Sequence, residues 1–309
     1  MTTALITHPS GLEHVTPPGH PEQVARLEYI MNALKGHDGL LRIKAPMGSE
    51  EDITRCHPAS YITDLRSASP DAGFRQLDAD THMSPGSIEA AFRAVGGITT
   101  AVDTVMQGKA ANAFVAMRPP GHHAETSTPM GFCLFGTVAI GAKYALEHHG
   151  LSRVAVVDFD VHHGNGTQDL LWNEARALTI TSQQMPLWPG SGERTDRGGH
   201  DNVLNLPIAP GGTGAEMRSL YEAEVFPRLR AFKPDMIFIS AGFDAHQDDP
   251  LAALNWSTAD FRWLTDQLCA VAAEICEGRV VSSLEGGYDL DALAASVATH
   301  VTGLQEAST

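Results

Sequence analysis

The chain has 309 residues, 43% of them hydrophobic and 19% charged, with a formal net charge of −16. That balance excludes a disordered polyelectrolyte and argues against nucleic acid as a partner, because a phosphate-binding surface needs clustered Lys and Arg. No apolar run approaches the length of a bilayer span, residues 1–13 lack the pattern of a secretory signal, and the four cysteines (Cys56, Cys133, Cys269, Cys276) form no Cys-x-x-Cys, so a cytoplasmic protein with reduced thiols and no membrane contact is expected.

In chain order, helical periodicity is read at 21–34 and 85–107, a strand at 111–117, a helix at 134–148, and strands at 153–160 and 177–181. A helix at 215–231, a strand at 235–240, a helix at 258–277, a strand at 279–284 and a helix at 290–303 follow. The helix at 258–277 opens on Ser257-Thr-Ala-Asp260, a capping box, and carries Phe261, Leu264, Leu268, Val271 and Ile275 on one side. Cys269 and Cys276 fall a heptad apart within it, too far to bridge. The alternation predicts a mostly parallel central sheet with helices on both faces, in a single domain spanning 1–309. The Pro/Gly-rich stretch 186–214 reads as a long functional loop.

The segments that end the strands share a chemistry. They are Arg118-Pro-Pro-Gly-His-His123, Asp160-Val-His-His-Gly-Asn165, Ser182-Gln-Gln184, Ala241-Gly-Phe-Asp-Ala-His246 and Glu285-Gly-Gly-Tyr288. In an open α/β sheet, ligands bind outside the carboxyl ends of the strands, so these five segments are expected to line one crevice.

Asp158, Asp160 and His162 are spaced by two, and an extended backbone projects them to one face. Asp160 and His162 are read as two metal ligands and Asp244, just after its own apolar strand, as the third. Such a set has no thiolate and leaves coordination positions open, as catalysis requires; Zn2+ fits it, and so do Fe2+, Mn2+ and Co2+. Asp158 and Asn165 are read as hydrogen-bond partners that separate the proton affinities of two imidazoles. Those imidazoles are His122 and His123, held by the rigid Arg118-Pro-Pro-Gly; one takes a proton from water and the other stays protonated toward the leaving group. The phenol of Tyr288 can donate to a carbonyl as it becomes an oxyanion. Phe132 and Trp188 are aromatic walls suited to a narrow slot for an extended aliphatic chain. A Cys133–His hydrolase would leave the Asp/His/Asp set without a role.

Arg118-Pro-Pro-Gly-His-His-Ala, Gly131-Phe-Cys, Val157-Asp-Phe-Asp-Val-His-His-Gly-Asn-Gly-Thr-Gln168, Ser240-Ala-Gly-Phe-Asp-Ala-His246 and Leu284-Glu-Gly-Gly-Tyr288 occur in order, after His20-Pro-Glu and Ser84-Pro-Gly-Ser. Together they resemble the motif set of the zinc-dependent histone deacetylase superfamily, nearest its class II and bacterial deacetylase-like amidohydrolase branch. The resemblance implies a three-layer α/β/α arginase/deacetylase-like fold, with zinc held by Asp160, His162 and Asp244. It implies His122 and His123 as the acid/base pair, Tyr288 polarising the acyl carbonyl, the Gly131 carbonyl meeting the substrate amide N–H, and Phe132 and Trp188 lining an acyl-lysine tunnel. It also implies a structural potassium using Asp158, the backbone at Asp160 and His162, and Thr181 and Ser182.

Three residues depart from that pattern. Gln183 stands where the potassium loop usually has His, Trp188 replaces a smaller aromatic, and Leu251 stands where the polyamine-deacetylating branch can carry an acidic gatekeeper. The expected activity is removal of acetyl or a related acyl group from an acylated lysine. The alternatives are a small acylated amine such as an acetylpolyamine, a dimanganese ureohydrolase, and a binding module without turnover. A homo-oligomer is compatible with the sequence.

Overall fold

The computed structural model describes residues 2–308, so the first and last positions of the 1–309 span lie outside the described residues. Strand β1 (Thr3–Thr7) leads through helices α1 (Ser10–Glu13) and α2 (Val24–Ala33) to β2 (Leu40–Lys44). Helices α3 (Glu50–Thr54) and α4 (Ala59–Ala68) and a small antiparallel pair, β3 (Arg75–Gln76) and β4 (His82–Met83), precede the long α5 (Ser87–Met106). Next come β5 (Asn112–Val115), α6 (Thr137–Glu147), β6 (Val154–Asp158), α7 (Asn165–Leu171), β7 (Ala177–Gln184) and β8 (Val203–Ile208). The chain ends with α8 (Gly214–Leu220), α9 (Phe226–Phe232), β9 (Met236–Ala241), α10 (Thr258–Ile275), β10 (Val280–Leu284) and α11 (Leu290–Glu306). No described helix is long and apolar enough to cross a membrane.

Eight strands form one sheet in the order β2-β1-β5-β10-β9-β6-β7-β8, and every pairing is parallel. Strand β6 explains why its sequence is a continuous apolar run. Val154 and Val156 enter the hydrophobic cluster under α4, α5, α6 and α7, while Ala155 and Val157 enter the cluster under α2, α8, α9, α10 and α11. Both faces are buried, so the usual polar alternation is absent.

The central strands and the long helices fall where periodicity puts them. Three strands of the eight-stranded sheet were not expected, β1, β2 and β8, nor was the small β3–β4 pair. The segment 186–214, read as a loop, contains β8, which lies at a sheet edge; there Pro207 can sit without breaking a ladder on its outer side. The single helix expected at 215–231 is two helices joined by a π-turn at Tyr221–Val225. Pro227 follows this turn, and its ring would clash with the carbonyl four residues earlier in a regular α-helix.

One buried ion cluster ties α2 to the sheet. Glu22 accepts from Arg118 Nη2 at 2.6 Å and from Arg26 Nη1 at 3.0 Å, with His14 Nε2 at 3.4 Å, and all four side chains are buried. Burial pushes the Glu22 carboxyl up, but the Arg118 charge and the hydrogen bonds from His14 and Arg118 outweigh it and hold it well below the usual carboxylate value of 4.5. Because the folded value is depressed, this stabilisation is fully present above about pH 4.5 and is lost as pH falls through the folded value. Glu22→Ala leaves two buried guanidinium groups without their carboxylate and is expected to cost ~3–5 kcal/mol in denaturant unfolding. A loss below ~1 kcal/mol would contradict this account of the cluster.

Candidate active site

Strands β5, β10, β9, β6 and β7 are consecutive neighbours in the sheet, so the segments at their carboxyl ends meet at one place. At the floor of that place, Asp160, His162 and Asp244 converge, each buried, with one ligand atom apiece within 4.8 Å of the others. His162 Nδ1 lies 3.2 Å from Asp160 Oδ1 and 3.1 Å from Asp244 Oδ2. Backbone donors fix the carboxylates: Gly286 N to Asp160 Oδ2 at 2.8 Å and Val161 N to Asp244 Oδ1 at 2.9 Å. A Cβ on Gly242 would lie 2.0 Å from Asp160 Oδ2, so the close approach itself demands glycine there.

The donor set fits a metal ion. Burial pulls the His162 imidazole down, yet its hydrogen bonds to Asp160 and Asp244 push it up to about 10, so the two buried carboxylates favour positive charge at this point. Two carboxylates and one imidazole suit a divalent ion with open coordination positions better than a closed structural site.

Beside this trio stand His122 and His123, with ring centroids 3.9 Å apart. His122 Nδ1 is 2.9 Å from Asp158 Oδ2, and His123 Nδ1 is 2.7 Å from Asn165 Oδ1. The Asn165 amide donates to Glu125 at 2.8 Å, which turns its oxygen toward His123 and makes His123 Nδ1 the donor. Burial lowers His122, but the charges of Asp160 and Asp158 raise it well above the ordinary imidazole value. Burial lowers His123, and the neighbouring charges of His122 and His162 lower it further. A full carboxylate behind one imidazole and an amide behind the other thus separates two adjacent histidines.

A slot of about 180 Å3 leads to this floor, lined by Asp80, His123, Gly131, Phe132, His162, Leu187, Trp188, Leu251 and Tyr288. Larger hollows of about 530 Å3 elsewhere on the surface hold no comparable convergence of acid, base and carboxylate groups. The Trp188 ring stands edge-on to His123 at 4.7 Å, and Phe132 stands edge-on to Tyr288 at 5.9 Å. Gly131 and Phe132 both have positive φ, 55° and 69°. Their N–H groups donate to Asp80 Oδ1 at 3.2 Å and Thr81 Oγ1 at 3.0 Å. A Cβ on Gly131 would come within 2.4 Å of the His123 ring and 2.6 Å of Trp188. Gly131→Ala is therefore expected to cut turnover at least ~tenfold while metal content stays at the wild-type level; unchanged turnover would show that the loop yields.

All the residues expected at the site are brought together, with Leu251 on the slot wall and Thr181 and Ser182 on β7 behind Asp158. Thr181 Oγ1 is buried and has no hydrogen-bond partner among the described residues, whereas Ser182 Oγ is engaged with Tyr221 Oη at 2.8 Å. Gln183 donates to Gly192 O at 2.7 Å.

Three supporting residues were not anticipated. Asp80 holds the Gly131 loop; Glu285 accepts from Gly121 N at 2.7 Å and His122 N at 3.1 Å; Arg26 donates to Glu285 O at 2.5 Å and Gly287 O at 2.7 Å. Glu285 stood inside a motif already noticed, but nothing local distinguishes a buried positioning charge from a solvated one.

A parallel three-layer α/β/α scaffold whose strand ends carry this arrangement defines a hydrolase of the arginase/deacetylase fold. The match to the histone deacetylase domain family covers residues 20–304, and the chain belongs to that family. It is 40% identical to histone deacetylase 10, chloroplastic, of Oryza sativa subsp. japonica, covering 90% of this chain and 68% of that one. It is 37% identical to the histone deacetylase-like amidohydrolase of Pseudomonas aeruginosa, covering 89% and 74%. The crystal structure of the HDA15 HD domain superposes with a TM-score of 0.93 at 29% identity, covering 99% of this chain and 88% of that one.

Proposed function

We propose that the chain is a single-domain, zinc-dependent amidohydrolase that removes acetyl, or a similarly small acyl group, from lysine-like amines. The observation that carries this reading is the buried trio Asp160, His162 and Asp244 at the floor of a slot lined by His123 and the Tyr288 phenol, with His122 directly beside His123. A divalent cation held by that trio would polarise an acyl carbonyl and acidify a water molecule. His122 and His123 handle the protons: one imidazole accepts from the attacking water and the other delivers to the departing amine. Asp158 and Asn165 set which imidazole carries charge. The Tyr288 phenol donates to the acyl oxygen as negative charge grows there. The Gly131 carbonyl accepts the substrate amide N–H, and Phe132, Trp188 and Leu251 enclose the methylene chain. A structural potassium at Asp158, Asp160, His162, Thr181 and Ser182 would give the orphaned Thr181 hydroxyl a partner. The net charge of −16 suits a cationic lysine-bearing substrate and disfavours nucleic acid, and four buried free cysteines suit the cytoplasm.

Leu251 puts no charge on the slot wall, and the Asp80 carboxylate there is engaged by Gly131 N and Thr81 Oγ1, which favours acyl-lysine over acetylpolyamine. A substrate series on zinc-loaded protein checks both points. Acetyl- and trifluoroacetyl-lysine peptides are expected to exceed long-chain acyl-lysines and acetylated polyamines in kcat/KM by ~10-fold or more, since a misfit of one or two methylenes in a tight apolar slot is worth that much. A preference for acetylpolyamines would overturn the lysine assignment.

A further inference from the structure

A second group of metal-binding character lies far from the slot. Asp103 sits near the end of α5, and His148 and His149 follow the end of α6; the chain then enters β5 and β6 at their amino ends, opposite the catalytic edge. One oxygen of Asp103 and one ring nitrogen of each histidine lie within 4.8 Å of one another. His149 Nε2 is already 2.7 Å from Asp103 Oδ1. The Tyr144 phenol donates to the same Oδ1 at 3.1 Å and so fixes the carboxylate. His148 stacks on the Tyr144 ring at 4.6 Å and 11°, which holds its imidazole in place although the residue is exposed. The negative end of the eleven-residue α6 points at the site. The Arg55 guanidinium, 5.5 Å from the Tyr144 ring centroid, is occupied by Glu147, Asp52 and Glu51.

We propose that Asp103, His148 and His149 form an accessory site for a divalent transition-metal cation of the zinc type, which clamps α5 to α6. Two imidazole nitrogens and one carboxylate oxygen, with an aromatic and hydrogen-bonded support, match the ligand preferences of Zn2+ and leave a position for water. A bound cation would take the place of the His149 Nε2–Asp103 Oδ1 contact.

The test is zinc binding by untagged full-length protein, read by equilibrium dialysis with elemental analysis and by thermal unfolding. The wild type is expected to take up one equivalent more than His148→Gln or His149→Gln, and zinc is expected to raise its Tm by an increment that both variants lack. Tyr144→Phe, which keeps the ring and removes the donor, should weaken that extra equivalent by ~10–100-fold. The comparison is between wild type and variants, so it stands whatever the catalytic trio binds. Equal stoichiometry and equal Tm response in wild type and both histidine variants would overturn the proposal.

Discussion

Tyr288→Phe is expected to lower kcat by ~10²–10³-fold on an acetyl-lysine peptide while KM moves by no more than ~twofold. The phenol lines the slot beside His162, and its ring is held by Phe132 at its edge and by the Arg26 guanidinium 4.9 Å from its centroid. Phenylalanine keeps those contacts, so binding and folding change little. What is lost is one donor. Burial pushes the Tyr288 phenol well above its ordinary value, with Arg26 offsetting this only in part, so the O–H is present across the neutral range. A donor that strengthens only as the acyl oxygen becomes negative acts on the transition state and not on the bound substrate. Steady-state kinetics on both proteins check this; an unchanged kcat would remove Tyr288 from the mechanism.

Asp244→Asn is expected to have a still larger effect. The substitution is nearly isosteric, retains an acceptor for Val161 N and removes one of the two negative charges facing His162. A divalent cation would then meet one carboxylate instead of two, in a buried place where charge is not screened by solvent. Losing the ion forfeits several kcal/mol of transition-state stabilisation, which converts to ~10³-fold or more in rate. Elemental analysis alongside the assay separates lost metal from lost chemistry. Wild-type metal content with wild-type rate would exclude Asp244 as a ligand.

The sequence was most informative where the fold is most buried. Strands β6, β9 and β10 are buried along their whole length and appear as mainly apolar runs, interrupted only by the small Ser240, Ser282 and Ser283, and the polar residues at their carboxyl ends stand out against them. The edge strands are less legible. In β2 only part of each side chain is covered, and Arg42 and Lys44 blur the pattern; β8 carries Pro207 and follows a Gly-rich stretch. Strand β1 is apolar but short, and its pairing with β2 and β5 depends on residues up to about a hundred positions away.

The same division holds within the site. Asp158 ends β6 and Asp160 and His162 follow it within four residues, so sequence proximity alone keeps them together; Asp158 and Asn165 were expected to tune the two histidines, and the fold assigns Asp158 to His122 and Asn165 to His123. The Glu22–Arg118 and Arg26–Glu285 contacts join residues that no local pattern connects. These buried charges hold the backbone of the catalytic loops, and only the fold brings them together.

The most direct measurement is the acetyl-lysine hydrolase activity of wild-type protein stripped of metal by chelation and then titrated with zinc. Metal dependence requires that stripping abolish turnover and that the activity return as Asp160, His162 and Asp244 take up zinc. Turnover that persists in metal-free protein would contradict it.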